Sequence, residues 1–205
     1  MSTMSFAQEL HQQRWDDHRF YHHSRINQAL HLFSACCFLT SYVMMFINPV
    51  YAVMVGWLLA MLFRQAGHFF FEPKTYDEVN QATHEYKESV KVGYNLQRKV
   101  VLLGIWALVP AVLLLDPTLF GVLTAHATWL GFARNLGMIW LWLGVAGVIF
   151  RMLQLCLTKD VQSSLVWAAK ILTDPLHDIK LYHKAPLQLL RGELIDPTIV
   201  AHRAR

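Results

Sequence analysis

Hydrophobic residues along this chain gather into long blocks, instead of alternating as in a strand or marking one stripe as in a soluble helix. Four blocks run from about Gln28 to Ile47, Val50 to Gln65, Val100 to Leu115 and Leu136 to Leu157. Each is long enough, or nearly so, to carry a helix across ~30 Å of hydrocarbon. Asn48-Pro49 sets a tight turn between the first two, which pair as a hairpin. The last two form a second hairpin. A fifth apolar stretch, Thr118 to Ala133, is interrupted by Thr124, His126 and Thr128 and is read as a re-entrant or interfacial piece. The expected fold is all-α: a polytopic membrane helix bundle of four transmembrane helices, arranged as two hairpins plus interfacial helices.

The polar stretches fill in the rest. Residues 1–26 form a cytoplasmic segment with a helix from Phe6 to Arg19 along the membrane surface. After Glu72, Pro73 breaks the second span, and Thr75-x-x-Glu78 gives a capping-box start to a polar helix reaching about Leu96. Beyond the fourth span, Val161, Leu165, Ala168, Ala169 and Leu172 mark an interfacial helix that Asp174-Pro175 should stop. The chain thus reads as a single integral membrane domain: a segment over 1–26, a hairpin over 28–70, a cytoplasmic helix over 75–98, a hairpin over 100–157 and a cytoplasmic tail over 158–205. No internal repeat or second soluble domain is visible.

Charge orients this arrangement. Of the 18 Lys and Arg residues, four spans leave only Arg134 in an outer loop, so the positive-inside rule places both termini in the cytoplasm. A fifth crossing would carry the basic tail outside, which argues against it. The polar first 26 residues show no cleavable signal peptide, so the first span serves as its own insertion signal. A bacterial inner membrane suits the chain, or the endoplasmic reticulum in a eukaryote. The net charge of +4 follows from loop bias and implies no nucleic-acid partner, while a basic face tolerates an acidic lipid. Cys36, Cys37 and Cys156 lie in apolar spans without zinc spacing and read as small buried hydrophobes.

With that topology, every histidine except His126 falls at one membrane face. Two clusters flank the first hairpin: Phe20-Tyr21-His22-His23-x3-Asn27-x3-His31 and Gly67-His68-x3-Glu72. A tight antiparallel turn brings His31 and His68 to the same depth. If helix extends back past Ser24, then His23, Asn27 and His31 share one stripe, as do Arg64, His68 and Glu72 on the partner helix. Any one of these side chains alone reads most simply as an interfacial anchor. Two facing stripes, costly in lipid, instead point to a metal site in the bundle interior. His84, beside Glu85 and Glu88, and the His177/His183 pair, beside Asp174 and Asp178, are further candidate ligands. His11, His18 and His202 read as solvated surface, and His126 as structural.

The pattern FYHH-x3-N-x3-H before a first span, with GH-x3-E at the end of a later one, resembles the 2-hydroxy fatty acid dioxygenase family of small membrane proteins. The resemblance covers about residues 15–75. It implies an Fe(II)- and O2-dependent enzyme of α-oxidation, which shortens long-chain 2-hydroxy fatty acids by one carbon. The family's essential histidines then correspond to His22 or His23, His31 and His68, with Asn27 and Glu72 also in the pattern. Iron would chelate the substrate's 2-hydroxyl and carboxylate, and Arg64 or Arg25 would pair with the carboxylate. The departure is at Pro73-Lys74-Thr75, where the family's motif continues with a Pro-Ala pair.

Three other readings compete. Di-iron fatty acid hydroxylases and desaturases use HxxxH and HxxHH boxes, and neither spacing occurs here. A haem-binding membrane protein could use His31 and His68 as axial ligands, leaving His22, His23 and Glu72 without a role. A non-catalytic metal-binding scaffold, or a homo-oligomer of the chain, is compatible with the same pattern.

Overall fold

The computed structural model describes residues 4–78, 80–93 and 96–197, and is helical with no strand among them. Helix α1 spans Phe6–Tyr21 and opens on a capping box, with the Ser5 hydroxyl accepting from the Gln8 amide and the Gln8 side chain accepting from the Ser5 amide. Helix α2 spans Arg25–Met45. After the turn at Asn48, whose side chain caps Val50 and Tyr51, α3 runs over Pro49–Phe70 with a π-helical middle at Val55–Met61. The short α4 covers His84–Val90, α5 Leu96–Leu115, α6 Trp129–Thr158, α7 Val161–Tyr182 and α8 Ala185–Leu190.

Four of these helices, α2, α3, α5 and α6, are long and apolar enough to cross a membrane. The expected helical membrane bundle is therefore the fold. Serine-to-carbonyl bonds tie the first hairpin together: Ser34 Oγ donates to the Ala60 carbonyl and Ser41 Oγ to the Ala52 carbonyl, each at 2.7 Å. Such bonds suit an environment with no water to satisfy freed carbonyls, and the Ala60 carbonyl belongs to the π-helical turns. Between α3, α5 and α6 the core is Val53, Val109, Leu113, Leu136 and Trp140. Trp57, Trp106 and Trp140 stack there with ring centroids 5.8 and 5.0 Å apart.

Several expectations need correction. The polar helix expected over 75–98 is only α4: Asp77 and Ala82 pair across a tight turn, and Thr83 caps the helix. Thr118–Ala133 is no helix of its own, because Asp116 accepts from the Thr118 and Phe120 amides and winds the chain into turns. Its last residues begin α6, which therefore starts before Leu136. Pro175 does not stop α7, which runs on to Tyr182. Proline costs a helix about 3 kcal/mol in isolation, but here it is fully buried, and Tyr42 of α2 donates to the Leu172 carbonyl in the turn the ring opens. Cys36 is exposed on the bundle surface while Cys37 is buried. His202 lies outside the described residues.

Helix α7 packs along α2, α6 and α1. Charge docks α1 there: Arg14 Nε meets Asp174 at 3.2 Å, and Lys170 Nζ lies 2.5 Å from Asp17 and 2.6 Å from Asp174. On the positive-inside rule, four spans predict that both ends of the chain face the cytoplasm, and labelling tests that expectation. In a background where Cys36, Cys37 and Cys156 are serine, a membrane-impermeant maleimide on whole cells should label Ala125→Cys. It should reach Gln12→Cys and Lys184→Cys only after the cells are opened. Labelling of Lys184→Cys in intact cells would refute four crossings.

Candidate metal centre

Histidine 31 sits on the second turn of α2 and is fully buried, and His68 sits near the end of α3. Gly67 lets the two helices approach so closely. A Cβ there would overlap the Asn27 side-chain oxygen and come within 3.2 Å of the His31 ring. Helix α1 ends at Tyr21, and Ser24 caps α2, so His22 and His23 lie in a break between helices. The stripe expected through His23, Asn27 and His31 is therefore interrupted. The break turns His22 inward instead, and His22 is 4% exposed.

The imidazoles of His22, His31 and His68 converge. Their candidate ligand atoms all lie within 4.8 Å of one another. Ring centroids are 4.1 Å apart for His22 and His31, 4.9 Å for His31 and His68, and 5.8 Å for His22 and His68. His22 Nε2 and both ring nitrogens of His31 are buried with no hydrogen-bond partner. Buried polar atoms left unpartnered are costly, and lone pairs aimed at one point suit a cation. Burial and the two neighbouring imidazoles hold the His22 pKa well below its ordinary value, so the ring is neutral and able to ligate. These residues fit a metal ion. With the rings this close, a haem macrocycle has no room between His31 and His68.

His22 and His68 each have a hydrogen-bond partner on the outer side, and a carboxylate stands near His31. His68 Nδ1 bonds to Glu72, which in turn lies 3.7 Å from Lys91 Nζ. That engages Nδ1 and leaves Nε2 toward the cluster, so Glu72 stands behind His68 and outside the converging triad. His22 Nδ1 lies 2.8 Å from Tyr182 Oη, and His31 Nδ1 lies 3.8 Å from Asp178 Oδ2. Asn27 is buried beneath Gly67, its amide donating to the Tyr21 carbonyl at 2.9 Å and so holding the break in which His22 sits.

The other expected site residues fall elsewhere. His23 Nε2 contacts the Arg19 carbonyl and approaches Asp77 at 3.5 Å, which ties the loop after α3 to α1. His84 opens α4, His183 is exposed and bonds to the Lys180 carbonyl, and neither joins the cluster. His177 lines a shallow polar pocket with His22, Arg64, Asp174 and Tyr182, but is not among the converging ligands. Arg64 Nη1 is held by Asp178 at 2.8 Å, and Arg25 by Asp196 at 2.8 Å. Each guanidinium is thus anchored by an aspartate through Nη1, while Arg25 Nε is buried without a hydrogen-bond partner. His18, expected at the surface, is buried beside Tyr182, and burial lowers its pKa to about 4.

The C-terminal tail braces the same break. The Arg25 amide donates to the Leu194 carbonyl, the Asp196 amide to the His23 carbonyl, and Gln28 Nε2 to Asp196 at 2.7 Å. Comparison with protein-family models, with curated proteins and with solved structures finds no match. Fold and site together define the class: a helical membrane bundle with a histidine triad, His22, His31 and His68, that could hold a metal ion.

Gly67 is the packing residue on which the triad rests. Gly67→Ala should destabilise the protein by about 1–3 kcal/mol, because the added methyl must displace Asn27 and His31. Gly104→Ala, on α5 with nothing near its Cβ, should be neutral or slightly stabilising. Thermal unfolding of both variants in detergent tests this, and equal midpoints would show that the close approach at Gly67 is not required.

Proposed function

We propose that this chain is an iron-dependent membrane dioxygenase that converts a long-chain 2-hydroxy fatty acid into the acid one carbon shorter. The observation that carries the reading is the convergence of His22, His31 and His68, whose candidate ligand atoms all lie within 4.8 Å of one another. These three residues coincide with the histidines of the motif resemblance, in which His22 rather than His23 takes the third place. Three neutral imidazoles leave coordination positions open on Fe(II), the common state for activating O2 at non-haem sites.

When bound, the iron supplies a chelating centre for a hydroxyl and an adjacent carboxylate and a means of activating O2. The chain's own residues hold the rings, exclude water and border the centre with a charge-balanced polar wall. In that wall Arg14, Arg64 and Lys170 are neutralised by Asp17, Asp174 and Asp178. The substrate carboxylate is selected by chelation to the metal together with the adjacent hydroxyl. The site lies at the cytoplasmic end of the first hairpin, where a lipid head meets the metal while its tail remains in hydrocarbon. The balance closes with O2 alone. The bond from C1 to C2 breaks, C1 leaves as CO2, C2 becomes the new carboxyl, and four electrons reduce O2 with release of one water.

Elemental analysis of tag-free protein, purified in detergent and reconstituted anaerobically, should find one iron per chain. His22→Ala, His31→Ala and His68→Ala should each lose it, while His84→Ala, His177→Ala and His183→Ala should retain it. Mass spectrometry of products from a panel of 2-hydroxy and unsubstituted acids then tests the reaction. Products one carbon shorter should arise only from the 2-hydroxy acids. Hydroxylated products of unchanged length from the unsubstituted acids would replace this reading with a hydroxylase.

A further inference from the structure

We propose that Tyr182 and Asp178 of α7, with His18 of α1 behind Tyr182, are positioning residues of the metal centre. They hold His22 and His31 in the ring orientation and tautomer that aim Nε2 of each toward His68. The inference rests on the metal reading above. It assigns a role to a helix that lies beyond the stretch carrying the family resemblance.

The first half of the argument is a proton count. Tyr182 Oη lies 2.8 Å from His22 Nδ1 and 3.2 Å from His18 Nδ1. One hydroxyl has one proton, so it can donate to only one of these rings and must accept from the other. If it donated to His22, that ring's proton would sit on Nε2, buried among the other imidazoles with no acceptor. If it donates to His18, His22 donates from Nδ1 and keeps its Nε2 lone pair for a metal. His18 Nδ1 as acceptor thus sets the direction of the relay, and the direction sets the tautomer of His22.

The second half concerns His31. Asp178 Oδ2 stands 3.8 Å from His31 Nδ1, and Arg64 Nη1 fixes the same oxygen at 2.8 Å. A carboxylate there favours the tautomer with the proton on Nδ1, again leaving Nε2 unprotonated. Asp178 and Tyr182 are four residues apart and so share one face of α7. The Tyr182 ring also stands edge-on to both imidazoles, with centroids 5.7 Å from His22 and 6.4 Å from His31. Glu72 performs the same service for His68 from the other side. Glu72 and Tyr182 thus bond to the outer nitrogens of His68 and His22, Asp178 stands nearest that of His31, and Arg64 acts through Asp178.

The test uses the full chain in detergent, titrated with Co(II) alone and read by its visible ligand-field bands, with chelator competition giving the affinity. Tyr182→Phe and Asp178→Asn should each weaken Co(II) binding by about 10- to 100-fold and shift the bands, the range that outer partners of metal-bound histidines command. Asp178→Glu should recover much of the loss, and Lys180→Ala, exposed on the same helix, should bind as wild type. Thermal midpoints of the metal-free variants are recorded alongside, because a purely structural role lowers those and leaves the bands alone. Wild-type bands and affinity in both Tyr182→Phe and Asp178→Asn overturn the proposal. If Asp178→Asn does not fold, Tyr182→Phe, which deletes a single oxygen, decides together with His18→Ala. A wild-type chain that binds no Co(II), or binds it undiminished after His31→Ala, removes the metal reading and this inference with it. Binding that needs His31 but ignores Tyr182 and Asp178 overturns the inference alone.

Discussion

Burying an imidazole costs free energy unless its nitrogens are partnered, on the order of 1–3 kcal/mol for each unmet polar group. This molecule buries His22 and His31 almost completely at one end of its first hairpin and packs a half-buried His68 against them. Much of the surrounding structure answers that constraint. Gly67 brings α3 close enough to face α2, Asn27 secures the break after α1, and Glu72, Asp178 and Tyr182 stand behind the three rings. What no protein group answers is the inner side, where the unpartnered nitrogens meet. The three imidazoles there could hold a metal ion.

The same constraint accounts for the crowd of charges around the site. Asp178 would be costly beside a membrane span without Arg64, and Asp174 without Arg14 and Lys170. These pairs link α1, α3 and α7 into one polar layer over the end of the hairpin. Below that layer the bundle changes character. Serine-to-carbonyl bonds and a tryptophan stack replace ion pairs, as suits a region that offers no water. The polar cap and the apolar bundle are therefore held together by different forces, and the metal centre lies where they meet.

Much of the bundle was legible in the sequence because its signal is local. Runs of about twenty apolar residues and Asn48-Pro49 name spans and a turn without reference to any partner. His31 and His68 were legible for the same reason, since a tight hairpin fixes which positions share a depth. The choice between His22 and His23 was not. It depends on α1 stopping at Tyr21 and α2 restarting after Ser24, and that break is held by the tail residues Leu194 and Asp196. Asp178 and Tyr182 did leave a trace, the four-residue spacing Asp174, Asp178, Tyr182, which matches Arg64, His68, Glu72. Reading Pro175 as a helix stop concealed it, because the cost of a proline is local whereas the packing that overcomes it is not.

The amino-acid sequence by itself determined the class of molecule, its four spans and the face on which its histidines gather. Hydropathy and charge act residue by residue against the bilayer, so they can be summed along a chain. Tertiary structure decided which imidazoles converge, which carboxylates stand beside them, and that both guanidiniums expected at the substrate are paired with aspartates. Those outcomes depend on contacts between α1, α2, α3, α7 and the tail, such as the Arg25–Asp196 pair, 171 residues apart along the chain. No local pattern encodes a distance of a few ångströms across such a gap; only the packed bundle does.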